Sequence, residues 1–273
     1  MCNNSKINQL PPPCSLSEER KTVSVFWTGG YDSTYRVVQL SRCPIYIQPI
    51  YLKDNRPSER NELNAIKEIK ELLIANPQTK AEFLPLQIID KSERLVNDDV
   101  SEAYKRVLAK DFVGSQYDWL GCFAAENPGI EMSIHRDDKA INVIQKYGKL
   151  KKISDNIIGD YYVVDKENSP KDIVCIWGNL HFPLAEETKI GMKEYYVNNG
   201  YSDVANKTWF CYTPINGKPC GKCNPCKYTI QEGLRERFTF MALLRYYICT
   251  TPILLSAYKS MASLKQKILK IIH

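Results

Sequence analysis

Long apolar runs are missing from this sequence of 273 residues. No stretch approaches the ~20 apolar residues of a membrane-spanning helix, so we expect no transmembrane segment. The first twenty residues, which include Pro11, Pro12 and Pro13, hold no apolar stretch of the length that a secretory signal needs. The net charge of +6 is too small and too dispersed to indicate nucleic-acid binding by itself. We therefore expect a cytoplasmic protein. The sequence carries no strong signal of nucleic-acid binding.

Cysteine is frequent, and its distribution is uneven. Four of the ten cysteines fall between Cys211 and Cys226, whereas the others are scattered. Disulfides are rare in the cytoplasm, and closely spaced cysteines in such a protein indicate a metal site. The hydrophobic content of 44% and the charged content of 25% are ordinary for a globular chain of this length. We therefore expect one main domain with a metal-binding appendage.

The N-terminal half alternates between strand-like and helix-like segments. The predicted strands are Val23–Trp27, Ile45–Leu52 and the extended run Phe83–Ile89, and the predicted helices are Thr34–Leu40 and 59–75. In 59–75 the residues Leu63, Ile66, Ile69 and Leu73 recur at helical spacing. Such alternation predicts an α/β protein, Rossmann-like, with a parallel sheet and helices on both faces.

The remainder of the chain is less regular. We predict helices at Ser101–Lys110, Tyr117–Glu126, Lys139–Tyr147 and Glu186–Val197, and strands at Ile130–Ile134, Tyr161–Val164 and Ile173–Trp177. From residue 236 to residue 273 the sequence predicts a basic amphipathic helical tail, in which no acidic residue follows Glu236. Its apolar stripe could rest on an anionic membrane surface, but docking on the chain's own domain or on a second copy in a homodimer is favoured.

The segment Thr28–Ser33, which reads TGGYDS, lies between the first predicted strand and the first predicted helix. Two adjacent glycines allow close backbone approach, and a helix N-terminus offers unpaired N–H donors with a partial positive charge. This combination suits a phosphate-rich anion. It is neither a Walker loop nor a dinucleotide fingerprint. An ordinary turn, in which Asp32 or Ser33 caps the helix, is equally compatible with these six residues.

The clustered cysteines are Cys211, Cys220, Cys223 and Cys226, with the spacing C-x8-C-x2-C-x2-C. A C-x2-C loop lets two thiolates converge on one ion, and four thiolates complete a tetrahedral zinc shell. A closed shell leaves no open position for catalysis, so the predicted zinc is structural. An iron–sulfur cluster is the chemical alternative.

Together these motifs resemble the PP-loop ATP pyrophosphatase superfamily, and most closely the 7-cyano-7-deazaguanine synthases of queuosine biosynthesis. That family has SGGxDS where this chain has TGGYDS, and TWSCY followed by CGxCxxC where this chain has TWFCY (208–212) and CGKCNPC (220–226). Phe182–Leu184 with Thr188 and Lys189 resemble the family's PL…TK segment. Residues 51–62 resemble its adenine-side segment. The resemblance spans residues 21 to 235.

The resemblance implies an adenine nucleotide alpha hydrolase-like domain at 21–235, with a zinc loop at 208–228, a flexible leader at 1–20 and the tail at 236–273. It implies ATP, zinc and magnesium as cofactors, and a small-molecule acceptor and an ammonia donor as partners. Asp32, Ser33 and Lys189 are the implied catalytic residues. The implied ATP-binding residues are Trp27, Thr28, Gly29, Gly30, Tyr31, Asp32, Ser33 and Thr34. The activity would be an AMP-forming carbon–nitrogen ligase that adenylates 7-carboxy-7-deazaguanine or a related carboxylate.

The middle of the chain departs from this family. Its PGRN-like and DYSGYPDCR-like segments have no counterpart here, so the acceptor stays open, as do a non-catalytic nucleotide-binding role and a tRNA-modifying one. Lys189 could contact phosphate or lie on an exposed helix face. Glu131 and His135 could face a pocket, although a polar outer face is favoured. For His181 and Trp209, structural roles are favoured.

Overall fold

A six-stranded parallel sheet forms the centre of the protein in a computed structural model, which describes residues 20–93 and 96–251. Within these residues the strands are, in chain order, β1 (Thr22–Phe26), β2 (Tyr46–Lys53), β3 (Glu82–Phe83), β4 (Gln87–Asp90), β5 (Ile130–Glu131), β6 (Leu150–Ile153), β7 (Tyr161–Val164) and β8 (Leu180–His181). The sheet order is β3-β2-β1-β5-β8, with β4 also paired to β2. Strands β6 and β7 form a separate antiparallel hairpin.

Helices connect the strands of the main sheet. They are α1 (Tyr31–Ser41), α2 (Glu59–Ala75), α3 (Asp98–Leu108), α4 (Gln116–Glu126), α5 (Lys139–Tyr147), α6 (Lys171–Trp177), α7 (Lys189–Asn198), α8 (Ser202–Lys207), α9 (Asn224–Gln231) and α10 (Phe240–Thr250). Short 3-10 turns lie at Lys91–Glu93 and Arg235–Arg237. None of the helices that the structure describes is both long enough and apolar enough to cross a membrane.

The helices cover both faces of the sheet, as the sequence predicted. Alternate residues of β1 point to opposite sides: Val25 packs in one core with α1, α2, α7 and α8, whereas Phe26 packs in a second core with α3 to α6. Phe26 and Phe123 of α4 lie with their ring centroids 5.7 Å apart. The predicted α/β fold class is therefore confirmed.

The order in which strands are added to the sheet reverses at β1. Strand β2 pairs with one edge of β1, and β5, which comes much later in the chain, pairs with the other. Ligands of open parallel sheets bind at the carboxyl edge where the strand order reverses, since the loops diverge there and leave a crevice. The glycine turn at 28–30 follows β1 and thus lies at this crevice.

Two helices were predicted with the boundaries that the structure has, α2 and α5. The strand prediction for Ile173–Trp177 is wrong, because this segment lies in α6. A short apolar run does not distinguish strand from helix. Here Ile173, Ile176 and Trp177 are buried at helical spacing, and Pro170 precedes the helix as its N-cap. The extended run 83–89 is two strands, interrupted around Pro85, which has no N–H to donate.

Several elements were not predicted from the sequence: β6, β8, α8 and α9. Each is short, and the pairing partner of β8, which is β5, is distant in the sequence. The predicted leader lies outside the described residues, except for residue 20. Of the predicted tail, α10 is described, whereas the stripe from Leu254 to Ile271 lies outside the described part of the chain.

Candidate functional site

The glycine turn brings the end of β1 against α2. Gly29 has a φ of +67°, and a Cβ atom at this position would lie 2.9 Å from the carbonyl oxygen of Glu62 and 3.1 Å from the Cβ of Ala65. A side chain at residue 29 would therefore be both strained and obstructed. This close approach of β1 to α2 therefore requires glycine at residue 29.

Helix α1 begins with its first-turn amides free of a side-chain cap. Gly30 is the N-cap residue and has no side chain with which to accept from them. The sequence alternative of Asp32 or Ser33 as N-cap is wrong, because both lie inside the first turn. The Ser33 hydroxyl instead donates to the carbonyl oxygen of Gly30 at 3.3 Å and accepts from the main-chain N–H of Thr28 at 3.4 Å. The arrangement suits an anion at the helix N-terminus.

Trp27 and Thr34, both predicted as ATP-binding residues, lie beneath the turn. The indole N–H of Trp27 donates to the hydroxyl of Thr34 at 3.1 Å, and both side chains are fully buried. The Trp27 ring also packs near Phe83 of β3. These two side chains therefore support the turn from the core.

Loops from three strands meet at Asp32. Lys189, the first residue of α7, donates from Nζ to Asp32 Oδ1. His135, which follows β5, places Nε2 4.0 Å from Asp32 Oδ2. Its Nδ1 accepts from the main-chain N–H of Asp137, so the neutral imidazole carries its proton on Nε2, toward the carboxylate. Lys189 was predicted from the resemblance alone, and the structure brings it to the predicted turn.

Tyr31, which follows the two glycines of the turn, lies beside the same ammonium group. Lys189 Nζ is 5.3 Å from the centroid of the Tyr31 ring, within the range of a cation–π contact. Burial, together with the negative charge of Asp32, raises the pKa of Tyr31 to about 12, so its hydroxyl stays protonated near neutral pH. Tyr31 therefore offers a neutral hydroxyl next to a cation.

The carboxylate of Glu62, in the first turn of α2, is buried near the end of β2, and both of its oxygens have partners. Glu62 accepts from the hydroxyls of Tyr51 at 2.8 Å and of Ser58 at 2.6 Å, and it pairs with Arg56 at 3.2 Å. The guanidinium of Arg56 also lies 5.8 Å from the centre of the Tyr51 ring. These residues belong to the segment that resembles the adenine-side segment of the family, and they border the crevice opposite β5.

The four predicted zinc ligands come together in one cluster. All four Sγ atoms lie within 4.8 Å of one another, and the Cys220–Cys226 and Cys211–Cys223 pairs are 3.8 and 3.9 Å apart. Tetrahedral zinc with Zn–S bonds of about 2.3 Å requires sulfur–sulfur distances of about 3.8 Å, so the cluster fits the ion. Main-chain N–H groups of Lys222 and Cys223 point to Cys220 Sγ at 3.4 Å and would stabilise a thiolate there.

The cysteine cluster is attached directly to the glycine turn. The main-chain N–H of Trp209 donates to the carbonyl oxygen of Gly29 at 2.7 Å. The indole N–H of the same residue donates to the carbonyl oxygen of Cys211 at 2.8 Å. Trp209 packs between the main domain and the cysteine lobe, which we define as residues 208–250. This residue has the packing role that the sequence favoured, and it also joins the two motifs.

Two residues considered as site candidates from the sequence, Glu131 and His181, contact other side chains of the protein. Glu131 does not lie on a polar outer face, because it is fully buried and accepts from Arg36 at 2.6 and 2.7 Å. The favoured outer-face interpretation of Glu131 is therefore wrong. His181 stacks on Tyr161 with ring centroids 4.4 Å apart, and burial lowers its pKa. For His181 the structure agrees with the favoured structural role.

Sequence reasoning missed two polar groups near the turn. Ser133 is two residues beyond Glu131, which pairs with Val25, so it lies beside the end of β1. Its hydroxyl is buried and has no hydrogen-bond partner among the described residues. Arg237 bonds to Thr208, next to Trp209. Neither residue belongs to a local motif, and only tertiary structure places them here.

No protein-family model matches the chain, and no curated protein does. Among solved structures, the chain is similar to a predicted subunit of a tRNA methyltransferase from Methanocaldococcus jannaschii. The two share 13% identity and a TM-score of 0.34, over 80% of this chain and 92% of the other. So loose a likeness assigns neither a family nor a function.

Proposed function

We propose that this chain is an ATP-dependent, AMP- and pyrophosphate-forming carbon–nitrogen ligase similar to the 7-cyano-7-deazaguanine synthases. The observation that carries the proposal is the hydrogen bond from Trp209 to Gly29, which attaches a four-cysteine cluster to a glycine turn at the crevice of a parallel sheet. Each motif is weak evidence alone. Their direct contact supports one shared site.

In the proposed first step, the first-turn amides of α1 and the hydroxyls of Thr28 and Ser33 hold the β and γ phosphates of ATP. A carboxylate oxygen of the acceptor attacks the α phosphorus. The bond from that phosphorus to the bridging oxygen breaks, and pyrophosphate leaves with the electron pair. Lys189 would move from Asp32 to the phosphates, because their charge is higher than that of one carboxylate.

In the second step, ammonia attacks the carbonyl carbon of the acyl adenylate. AMP leaves with the former carboxylate oxygen, a proton is lost, and an amide remains. Repetition on the amide oxygen with a second ATP, followed by loss of AMP and of both protons on the amide nitrogen, would give a nitrile. Magnesium would neutralise phosphate charge when bound; Asp32 is the carboxylate within the turn that could hold it.

The charges around the crevice also bear on where a carboxylate acceptor would sit. A cavity of about 400 Å³ beside α1 is lined by Glu186 and Glu187, and its Arg36 and Lys152 already pair with Glu131 and Asp160. Such an acidic lining repels an anionic acceptor. His135 and the unpartnered hydroxyl of Ser133 offer hydrogen-bond donors at the crevice instead. We therefore propose that the acceptor carboxylate binds on the β5 side of the turn.

Isotope transfer tests this chemistry directly. Zinc-loaded protein would be incubated with ATP, ammonium and 7-carboxy-7-deazaguanine labelled with oxygen-18 in its carboxylate. We expect equal amounts of AMP and pyrophosphate, with one labelled oxygen in the AMP. Formation of ADP and phosphate, whether or not the phosphate carries the label, would refute the proposal, as would failure to bind ATP. ATP binding without turnover with this or any other carboxylate would favour a non-catalytic nucleotide-binding role.

A further inference from the structure

Arg237 stands out as a partly buried cation beside the glycine turn. Its guanidinium donates to the carbonyl oxygens of Asn206 at 3.2 Å and of Thr208, and to the Thr208 hydroxyl at 3.4 Å. It also lies 4.7 Å from the centroid of the Phe210 ring. These contacts orient the group firmly but carry no negative charge.

Other buried guanidinium groups near the sheet have acidic partners. Arg36 pairs with Glu131 and Arg56 pairs with Glu62, whereas Arg237 forms no ion pair with any residue in the described ranges. The preceding residue, Glu236, is exposed and acts on Arg237 without forming an ion pair. A partly desolvated cation without an ion-pair partner is costly, and an anionic ligand would reduce the cost. Burial accordingly lowers the pKa of Arg237.

The position of Arg237 is set by the same segment that contacts the turn. Thr208 accepts from Arg237, and the next residue, Trp209, donates to Gly29. Burial and the negative charges of Asp32 and Glu232 raise the pKa of Tyr31, the first residue of α1, and the positive charge of Arg237 opposes them. Lys189 approaches Tyr31 from α7. The main domain thus brings Lys189 to Tyr31, and the cysteine lobe holds Arg237 against Thr208, the residue before the one that bonds to Gly29.

We propose that Arg237 is a polyphosphate-binding residue, which the cysteine lobe contributes to the nucleotide site at the glycine turn. Its ligand class is a nucleoside triphosphate, recognised through the β and γ phosphates. The proposal extends the function proposed above and rests on it for the identity of the nucleotide. The anion site itself rests on the bonds that join Arg237 to Thr208 and Trp209 to Gly29.

The test compares Arg237→Gln with Arg235→Gln, a matched change at an exposed arginine in the same 3-10 turn. Affinities for ATP, tripolyphosphate and AMP would be measured by calorimetry on zinc-loaded protein. We expect R237Q to weaken ATP and tripolyphosphate about tenfold or more, since a charge-assisted hydrogen bond is lost, and to leave AMP unchanged. R235Q should match the wild type, and R237K should retain part of the affinity.

A second measurement uses the unaltered protein, in case R237Q does not fold. Tripolyphosphate should protect Arg237, and not Arg235, from phenylglyoxal, as read by peptide mass spectrometry. Equal affinities of R237Q and the wild type for ATP and tripolyphosphate, or absence of protection, would overturn the Arg237 proposal while leaving the ligase proposal intact. Wild-type protein that binds tripolyphosphate through Arg237 but not ATP would refute the ligase proposal alone.

Discussion

The main-chain N–H of Trp209 donates to the carbonyl oxygen of Gly29 at 2.7 Å, and this bond joins the end of β1 to the cysteine lobe. Trp209 also bonds to Cys211, one of the four clustered cysteines. A metal at the cluster would thus order the segment that contacts the glycine turn. Phosphate binding and metal binding are expected to be coupled.

The first prediction concerns metal removal. The purified protein should contain about one zinc ion per chain and no visible absorbance band of the kind that an iron–sulfur cluster gives. Chelation, or Cys223→Ser, should unfold the cysteine lobe and weaken ATP binding, because Trp209 and Arg237 lose their positions. Metal analysis and calorimetry provide the readout. Cys175→Ser is the control, since Cys175 lies in α6, apart from the cluster; equal loss of ATP binding in both variants would contradict the coupling.

The second prediction concerns the close approach at the turn. Gly29→Ala should lower the free energy of unfolding by about 2–4 kcal/mol, from backbone strain at positive φ plus a clash with Glu62. Gly159→Ala is the matched control: its φ is +80°, and nothing lies within 4 Å of the added Cβ. That variant should lose only the strain, about 1 kcal/mol. Denaturant unfolding of both proteins measures the difference, and equal losses would show that crowding at residue 29 is unimportant.

The third prediction concerns the buried ion pair beneath the crevice. Glu131→Gln leaves Arg36 buried beside a neutral amide, and breaking such a pair costs about 3–5 kcal/mol. Replacing both residues with methionine should restore much of the loss, because neither charge then remains buried. Glu102→Gln, which breaks an exposed pair with Lys105, should leave the midpoint of denaturant unfolding nearly unchanged. If E131Q were as stable as E102Q, the pair would not be buried in solution.

The fourth prediction is a pH dependence from His181. Burial lowers its pKa in the folded protein below the unfolded value of about 6.5, so the unfolded state binds more protons as the pH falls through that range. Stability should therefore decrease from about pH 6.5 downward. His181→Phe, which preserves stacking on Tyr161, should flatten this part of the profile in denaturant unfolding. An unchanged slope would assign the acid sensitivity to other groups.

Sequence reasoning succeeded where the signal is local. The apolar spacing in 59–75 defined α2 because one helix face is enough to show in the sequence. The glycine turn and the cysteine spacing are also short local patterns, so they could be recognised in the sequence. It failed for residues 173–177, where an apolar run has no diagnostic period, and for Glu131, whose partner Arg36 is distant in the chain. Arg237 and Ser133 could not be found this way, since only tertiary contacts bring them to the turn.

The order in which the chain is synthesised gives the contact between Gly29 and Trp209 a further consequence. Strand β1 emerges from the ribosome before β5 and Trp209, so its pairing with β5 and the bond from Trp209 form only after the intervening chain has been made. Contacts of such long sequence separation form slowly. The glycine turn is therefore made well before the segment that contacts it, and the proposed phosphate site becomes complete only after the cysteine lobe has emerged.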